Sequence, residues 1–421
     1  MVKIGILGVG TVGRSVVNIL KNNADIIEAR AGEKIVVHAG VVRDLSKVED
    51  LDILMSDNPN NIIDNDEIDI VVELMGGVDL PYKLVSKALK NGKAVVTANK
   101  ALLAYHRYEL QSLAGEIPFM YEASTAGGIP IIGALRSGLS ANHIVSMQGI
   151  INGTCNFMLT KMIKENAKYE DVLKEAQALG YAEADPSFDV GGFDAAHKLL
   201  ILSSIAYGID AKPEDILIEG IEHISQTDIE FANDFDYVIK LLGIASKVGT
   251  GVEIRVHPTM IPKESMIAKV DGVMNAVMLK GDCVGETLYY GAGAGGNATA
   301  SAVISDIIDI VRGNGSPMLG YKKPLESGLS LLSKDEISTH YYLRMSVEDK
   351  KGVLAEITNL LSHLDISIES MLQKPDDDKD ESVELLFTTH ETKEQKIIFA
   401  MNELEKMSVV RGKVMMIRIE K

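Results

Sequence analysis

The chain contains only two cysteines, Cys155 and Cys283, in 421 residues. Two cysteines provide no disulfide framework and no cysteine-based metal spacing, as expected of a reducing compartment. Positive charge is also in short supply: 42 Lys and Arg stand against 60 Asp and Glu, a net charge of -18. That balance repels nucleic acid and anionic membranes and favours solubility, so neither is an expected partner. Met1-Val2-Lys3 leads straight into a strand, with no signal peptide, no apolar run of transmembrane length and no internal repeat of about 20 to 50 residues. A cytoplasmic location is the expectation. What is present is 46% hydrophobic residues, enough for ordinary cores, in a chain long enough for about three domains.

Residues 3–8 read as a buried strand running into Gly8-Val9-Gly10-Thr11-Val12-Gly13, after which Val16, Val17, Ile19 and Leu20 recur at helical spacing. In that context Gly8 makes a tight turn, Gly10 lets the backbone approach a pyrophosphate and Gly13 permits close helix packing. The helix N-terminus, at Thr11 and Val12, attracts the anion. Strands at residues 35–42, 68–74, 94–97 and 117–121 follow, with helical stretches between them. This is the doubly wound α/β pattern of a Rossmann-type dinucleotide-binding domain; a purely structural glycine turn is the competing reading.

At the end of the second strand, the Arg43 guanidinium suits the 2′-phosphate of NADP, whereas Asp44 could instead take the ribose of NAD. NADP is the first choice, although Arg43 also reads as a solvated loop charge. The loops Glu73-Leu74-Met75-Gly76-Gly77 and Thr97-Ala98-Asn99-Lys100 follow strands and so face the cofactor. Lys100 is a candidate for the nicotinamide end, because a positive charge at a helix start is unfavourable unless something needs it.

From Gly192 onward the pattern is helical, and Ala195, Ala196, Leu199, Leu200, Leu202 and Ile205 leave almost no polar face. Lys198 must therefore be buried or line a cavity. Asp194 lies one turn earlier on the same face, and Glu183, Asp185 and Asp189 precede it in a Pro- and Gly-containing loop that can fold over the helix start. Four carboxylates and a lysine make a candidate active site; a structural ion pair is the alternative. Ile151-Asn152-Gly153-Thr154-Cys155-Asn156 stands between a strand and a helix, so Gly153, Thr154 and Asn156 offer polar contacts to a substrate, or Thr154 or Asn156 caps the helix. Strands at 252–257, 277–279 and 287–290 complete a sheet here. The glycine-rich run ending at Gly296 then leads into a helix over 299–311. That either returns the chain to the cofactor cleft or packs it closely on a neighbouring backbone.

These motifs resemble homoserine dehydrogenase: the Gly8 to Gly13 turn, Val96-Thr97-Ala98-Asn99-Lys100, Ala126-Gly127-Gly128-Ile129-Pro130, Ile151-Asn152-Gly153-Thr154, and above all Tyr181-Ala182-Glu183-Ala184-Asp185-Pro186 with Asp189-Val190-Gly191-Gly192 and Asp194-Ala195-Ala196-His197-Lys198. The resemblance implies reversible reduction of L-aspartate 4-semialdehyde to L-homoserine with NAD(P)H, on the route to threonine and methionine. It implies Lys198 as proton donor, oriented by Asp194 or Asp189, with Lys100 beside the nicotinamide. Glu183 would hold the substrate amino group, with Gly153, Thr154, Asp189 and Lys100 around the substrate. Thr97 and Gly296 would join the cofactor site. A monovalent cation such as Na or K would sit at Glu122 and the backbone of Thr125, Gly127 and Ile129. From the residues alone, that last segment reads more simply as an ordinary turn. The chemistry is consistent: hydride arriving at an aldehyde carbon develops an alkoxide, which needs a proton donor and a nearby positive charge.

Residues 321–339 are irregular, contain Pro324 and Gly328, and read as a linker. Beyond them, strands at 341–347, 366–372, 383–389 and 409–419 alternate with helices at 352–363 and 393–407, and a solvated hairpin loop spans 375–382. This ferredoxin-like βαββαβ pattern is similar to ACT domains, which pair side by side and bind amino acids; Lys351 departs from the proline usual before the glycine. The resulting division is 1–132 for the dinucleotide, 133–297 for substrate and dimerisation, 298–320 as a helix returning to the first unit, 321–339 as linker and 340–421 as the ACT module. The expected partners are a small-molecule substrate, an amino-acid effector with threonine the candidate, and a second copy in a homodimer or larger homo-oligomer. An effector-free dimerisation module is the alternative for the tail. Two rivals for the whole chain are a Cys155 nucleophile, which lacks an evident base, and a non-catalytic sensor of NADP and an amino acid.

Overall fold

The structure is a computed structural model describing residues 1–48, 51–314, 317–323, 325, 328–375 and 382–421. The first sheet has six parallel strands in the order Leu54–Ser56, Ile35–Val41, Val2–Leu7, Ile70–Glu73, Ala94–Thr97, Phe119–Met120. Ile70–Glu73 and Ala94–Thr97 are buried at every residue, as a parallel strand covered by helices on both faces requires. Val2–Leu7 and Ile70–Glu73 are neighbours although their connections leave toward opposite edges. The crevice for a ligand therefore opens at their carboxyl ends. The helix Gly296–Val311 returns to pack on Thr11–Asn22, with Ala300, Val303 and Ile307 joining Val16 and Leu20 in one apolar cluster.

The second sheet begins with five antiparallel strands in the order Gly285–Ala292, Met274–Gly281, Ile144–Ile150, Tyr237–Val248, Gly251–Pro262. Helices Gly153–Glu165 and Phe193–Tyr207 lie against it. The strand Tyr237–Val248 is absent from the sequence reading. Ile239, Leu241, Leu242 and Ile244 are all buried around a buried Lys240, so no polar-apolar alternation marks it. The pairing partner Gly251–Pro262 is correspondingly twelve residues long and extends well beyond the expected 252–257.

The ACT strands follow in the order Val410–Ile419, Ser338–Glu348, Ser382–Thr389, Ile368–Pro375, all antiparallel, with helices Val353–His363 and Glu394–Leu404 completing the ferredoxin-like βαββαβ unit. The expected hairpin loop falls largely on residues 376–381, and the linker's Pro324 on another position, both outside the described residues. The linker is more ordered than expected. Ser330–Leu331 pairs in parallel with Gly251 and Val252, Lys334–Glu336 forms a turn capped by Ser333, and the unit proper starts at Ser338. Leu331 and Leu332 supply the apolar contact that draws this stretch onto the sheet edge. Three separate segments thus cover the outer edge of Gly251–Pro262: Ser330–Leu331, Leu217–Ile218 beside Arg255 and Val256, and Arg418 and Ile419 beside Thr259 and Met260. The last pairing makes the middle and ACT sheets continuous. No helix among the described residues is long and apolar enough to cross a membrane.

Candidate active site

The helix Phe193–Tyr207 places Asp194 and Lys198 one turn apart, and the Lys198 Nζ donates to Asp194 Oδ2 at 2.7 Å and to the Ile151 carbonyl at 2.7 Å. The opposite oxygen, Asp194 Oδ1, pairs with the Nζ of Lys100, first residue of the helix Lys100–Ala114 in the dinucleotide unit. One buried carboxylate is therefore shared by two lysines from two units. Asn152 completes the arrangement. Its Oδ1 caps the helix Gly153–Glu165 by accepting from the Cys155 N–H at 2.8 Å, and its Nδ2 donates to Asp189 Oδ1 and Asp194 Oδ2, each at 2.8 Å.

Burial disfavours the Asp194 charge, but Lys198 and Lys100 outweigh that effect and hold its carboxyl below the usual range. Burial also lowers the proton affinity of Lys198; the Asp194 charge opposes this and the Lys100 charge adds to it. Asp189 is raised by burial, against its Asn152 hydrogen bond and with help from the Asp194 charge. A largely buried lysine that holds its proton less tightly, next to a carboxylate that stays ionised, is suited to acid-base work at an oxygen.

A cleft of about 650 Å³ brings together Lys100, Gly153, Thr154, Glu183, Asp185, Asp189, Asp194 and Lys198. Glu183 and Asp185 stand exposed at its rim, whereas Asp189 projects from the short helix Ser187–Val190 rather than from an open loop. Thr154 does not cap its helix; its hydroxyl donates to the Tyr181 carbonyl at 2.6 Å and ties down the Glu183 loop. Asn156 turns away to the carbonyls of Val270 and Met274, each at 3.1 Å. The sequence reading passed over two residues. Asn152 stood in a quoted motif, where an Asn before Gly-Thr at a strand-helix junction is a cap signal. Asn275 lines the cleft with a buried amide nitrogen that has no partner among the described residues, and nothing local marks it. Cys155 is buried, donates to the Asp189 carbonyl at 3.2 Å, and has its thiol pushed well up by burial, the reverse of an activated nucleophile.

In the first unit, Gly8 has φ of 101°, and a Cβ there would meet the Leu74 carbonyl oxygen at 2.8 Å. At Gly10 a Cβ would meet nothing within 4 Å; the start of Thr11–Asn22 faces open space, carries no side-chain cap and has no acidic residue in its first turn. Backbone N–H groups left without partners at such a start fit a pyrophosphate. Gly296 lies beside Thr11, where a Cβ would come 3.2 Å from its Cγ2 and 2.8 Å from Ser15 Oγ. Thr97 is fully buried and donates to Glu73 Oε2 at 2.5 Å, so its hydroxyl builds the loop. Burial pushes Glu73 up to about 7, against that bond and the Met75 N–H. Arg43 is exposed beyond the second strand, while the Asp44 carboxylate accepts from the Ser46 hydroxyl at 2.7 Å and the Ser46 N–H at 3.2 Å.

Glu122 accepts from the backbone N–H groups of Ile132 at 2.8 Å and Gly133 at 2.6 Å, and burial raises its carboxyl. Ala126 and Gly127 follow with φ of 55° and 53°, and the buried Thr125 hydroxyl lacks a partner among the described residues. No group of three His, Cys, Asp or Glu placed to hold a metal occurs among the described residues. A donor set of one carboxylate and backbone oxygens fits a hard monovalent cation.

A Rossmann sheet that extends a lysine into a buried lysine-carboxylate cluster of an adjoining domain defines a nicotinamide-dependent oxidoreductase. Residues 130–308 match the homoserine dehydrogenase family, residues 8–117 the homoserine dehydrogenase NAD binding domain, and residues 341–407 the ACT domain. The chain is 54% identical to the homoserine dehydrogenase of Helicobacter pylori over 417 residues, covering 99% of this chain and 98% of that protein. It resembles the crystal structure of a homoserine dehydrogenase from Thiobacillus denitrificans with TM-score 0.93 and 46% identity, covering 100% of this chain and 98% of the other. A hyperthermophilic archaeal homoserine dehydrogenase in complex with NADPH has TM-score 0.63 and 29% identity, covering 77% of this chain and 99% of that one. The chain belongs to the homoserine dehydrogenase family and carries a C-terminal ACT domain.

Proposed function

We propose that Lys198 is the proton donor in the reversible reduction of L-aspartate 4-semialdehyde to L-homoserine. The observation that carries this reading is the sharing of buried Asp194 between Lys198 and Lys100. When bound, the nicotinamide supplies or accepts the hydride. Lys198, its proton affinity lowered by burial, protonates the developing alkoxide; Asp194 keeps it charged and aimed, and Asn152 holds Asp194 and Asp189 in register. Lys100 adds positive charge from the cofactor side. Glu183, exposed at the rim, pairs with the substrate ammonium, and Gly153, Thr154 and Asp189 line the rest of the substrate space.

The Gly8, Gly10 and Gly13 turn with Thr11 and Val12 holds the pyrophosphate. Arg43 favours NADP over NAD through its exposed guanidinium, while Asp44 is held in the loop by Ser46 through one carboxylate oxygen. Glu122 and the backbone of Thr125, Gly127 and Ile129 hold Na or K. The ACT domain binds an amino-acid effector, threonine, and pairs with a second copy in a homodimer. Following reduced-cofactor absorbance with L-homoserine and either NADP or NAD tests the reaction and ranks the cofactors. Faster turnover with NAD at equal concentration would remove the Arg43 assignment. Unchanged rates on adding threonine to the full chain would remove the effector assignment.

A further inference from the structure

The cleft's two central carboxylates stand on either side of a three-residue hinge. Asp189 precedes it on Ser187–Val190; Asp194 follows it on Phe193–Tyr207; Val190, Gly191 and Gly192 join the two. The segment Glu219 to Ile221 lies directly against this hinge. Ile221 N–H donates to the Val190 carbonyl at 2.9 Å. Gly220 approaches so closely that a Cβ there would come 2.3 Å from the Val190 oxygen and 2.7 Å from the Gly191 Cα, and the Glu219 carbonyl lies 3.2 Å from where a Gly192 Cβ would be. Any shift of this segment therefore pushes on the backbone between Asp189 and Asp194.

The same segment is gripped from the other side by the ACT domain. Arg418, fully buried on Val410–Ile419, donates through Nη1 to Glu219 Oε2 at 2.7 Å and through Nη2 to Glu219 Oε1 at 2.9 Å. Its Nε donates to Glu394 Oε2 at 2.9 Å and its Nη2 also contacts Glu394 Oε1. Glu394 is in turn fixed by the Tyr341 hydroxyl at 2.7 Å. The guanidinium is thus locked within the ACT domain and presents a bidentate fork to one carboxylate of the middle unit. A second ion pair, Arg255 with Glu420 at 2.5 Å, crosses the same seam without using the Glu219 side chain.

We infer that Glu219 is a positioning residue, through which Arg418 of the ACT domain sets the Val190 to Gly192 hinge and hence the placement of Asp189 and Asp194 around Lys198. This inference rests on the proposed roles of those three residues. It makes the Arg418 to Glu219 fork one mechanical route by which a change in the ACT domain reaches the cleft, beside the Arg344 to Asp228 pair that joins the same two units elsewhere.

The test is Glu219→Gln in the full chain, assayed with L-homoserine and NADP. The Glu219 side chain is 39% exposed and Arg418 keeps Glu394 as partner, so the variant loses one charge without stranding another. The expected result is a kcat roughly 2- to 30-fold lower, an unchanged KM for NADP, and a melting temperature like that of the parent. Glu420→Gln, which weakens the pair that does not use the Glu219 side chain, is expected to keep the parental kcat. A parental kcat in Glu219→Gln overturns the inference. So does an equal loss of kcat in both variants, which would make the seam simple adhesion. Lys198→Ala in the same assay reports separately on the catalytic reading: normal turnover there would sink that reading whatever Glu219→Gln does.

Discussion

The dinucleotide turn and the lysine-carboxylate cleft serve one reaction by opposite means. At the turn, function depends on side chains that are missing: Gly10 leaves open space at an uncapped helix start, and the backbone itself is the ligand. In the cleft, function depends on the charged side chains of Lys100, Asp189, Asp194 and Lys198 and the amide of Asn152, each buried or half-buried and each held by another. A backbone site tolerates few additions but needs no partners. A side-chain site fails as a unit when one member is removed.

The sharpest break between the two is Lys198→Ala. Turnover is expected to fall by roughly 10²- to 10⁴-fold, while NADP binding, measured by quenching or calorimetry, stays near that of the parent. A matched loss of cofactor affinity would mean that the two sites are not separable. Next in size is the pH dependence of stability at Glu73, whose folded-state value of about 7 lies above the ordinary 4.5. The folded chain binds this proton more tightly than the unfolded one, so the associated stability is fully present below pH about 4.5, declines as pH rises, and is gone above about 7. It amounts to at most about 3 kcal/mol. Glu73→Gln should flatten that part of a denaturation series, and an unchanged slope would contradict it.

A finer separation lies within the turn itself. Gly10→Ala should raise the Kd for NADP by about tenfold or more and leave stability within about 0.5 kcal/mol, because its Cβ would enter open space at the helix start. Gly8→Ala should instead destabilise by about 1 to 3 kcal/mol, because that Cβ meets the Leu74 carbonyl at a positive φ. Equal effects on binding and folding from both would erase the distinction. The smallest effect is expected for Cys155→Ala, with turnover within about twofold of the parent. Near-complete loss would restore the nucleophile reading against the thiol's burial and hydrogen bond to the Asp189 carbonyl.

The same contrast decides what a sequence reader can see. Gly8 to Gly13 is local, so strand, turn and helix were legible together, as was the one-turn spacing of Asp194 and Lys198. Lys100 was legible from the rule that ligands gather at strand ends, but its pairing with Asp194 joins segments nearly a hundred positions apart and no local pattern carries it. Asn152 was hidden because an Asn at a helix start reads as a cap, which it is, and its second use depends on the approach of the Asp189 turn. Thr97 was placed at the cofactor by position, whereas its hydroxyl is engaged with Glu73. The strand Tyr237–Val248 was concealed by Lys240, which reads as polar but is buried, held by the Val270 carbonyl at 2.6 Å and by Asp271 at 3.1 Å. The linker's short strand needed the free edge of Gly251–Pro262, an object that exists only in the folded molecule.

The covering of that edge in three pieces also imposes a timetable on biosynthesis. Leu217–Ile218 is already made when Gly251–Pro262 emerges from the ribosome, and Ser330–Leu331 follows later, but Thr259 and Met260 wait for Arg418 and Ile419. Until then this part of a twelve-residue strand lacks its partner for N–H and C=O groups, the kind of edge that recruits strands from other chains. The strand Val410–Ile419 is thus the latest-made of the three covers, and its pairing with Thr259 and Met260 closes a sheet edge quite apart from any amino acid the module binds.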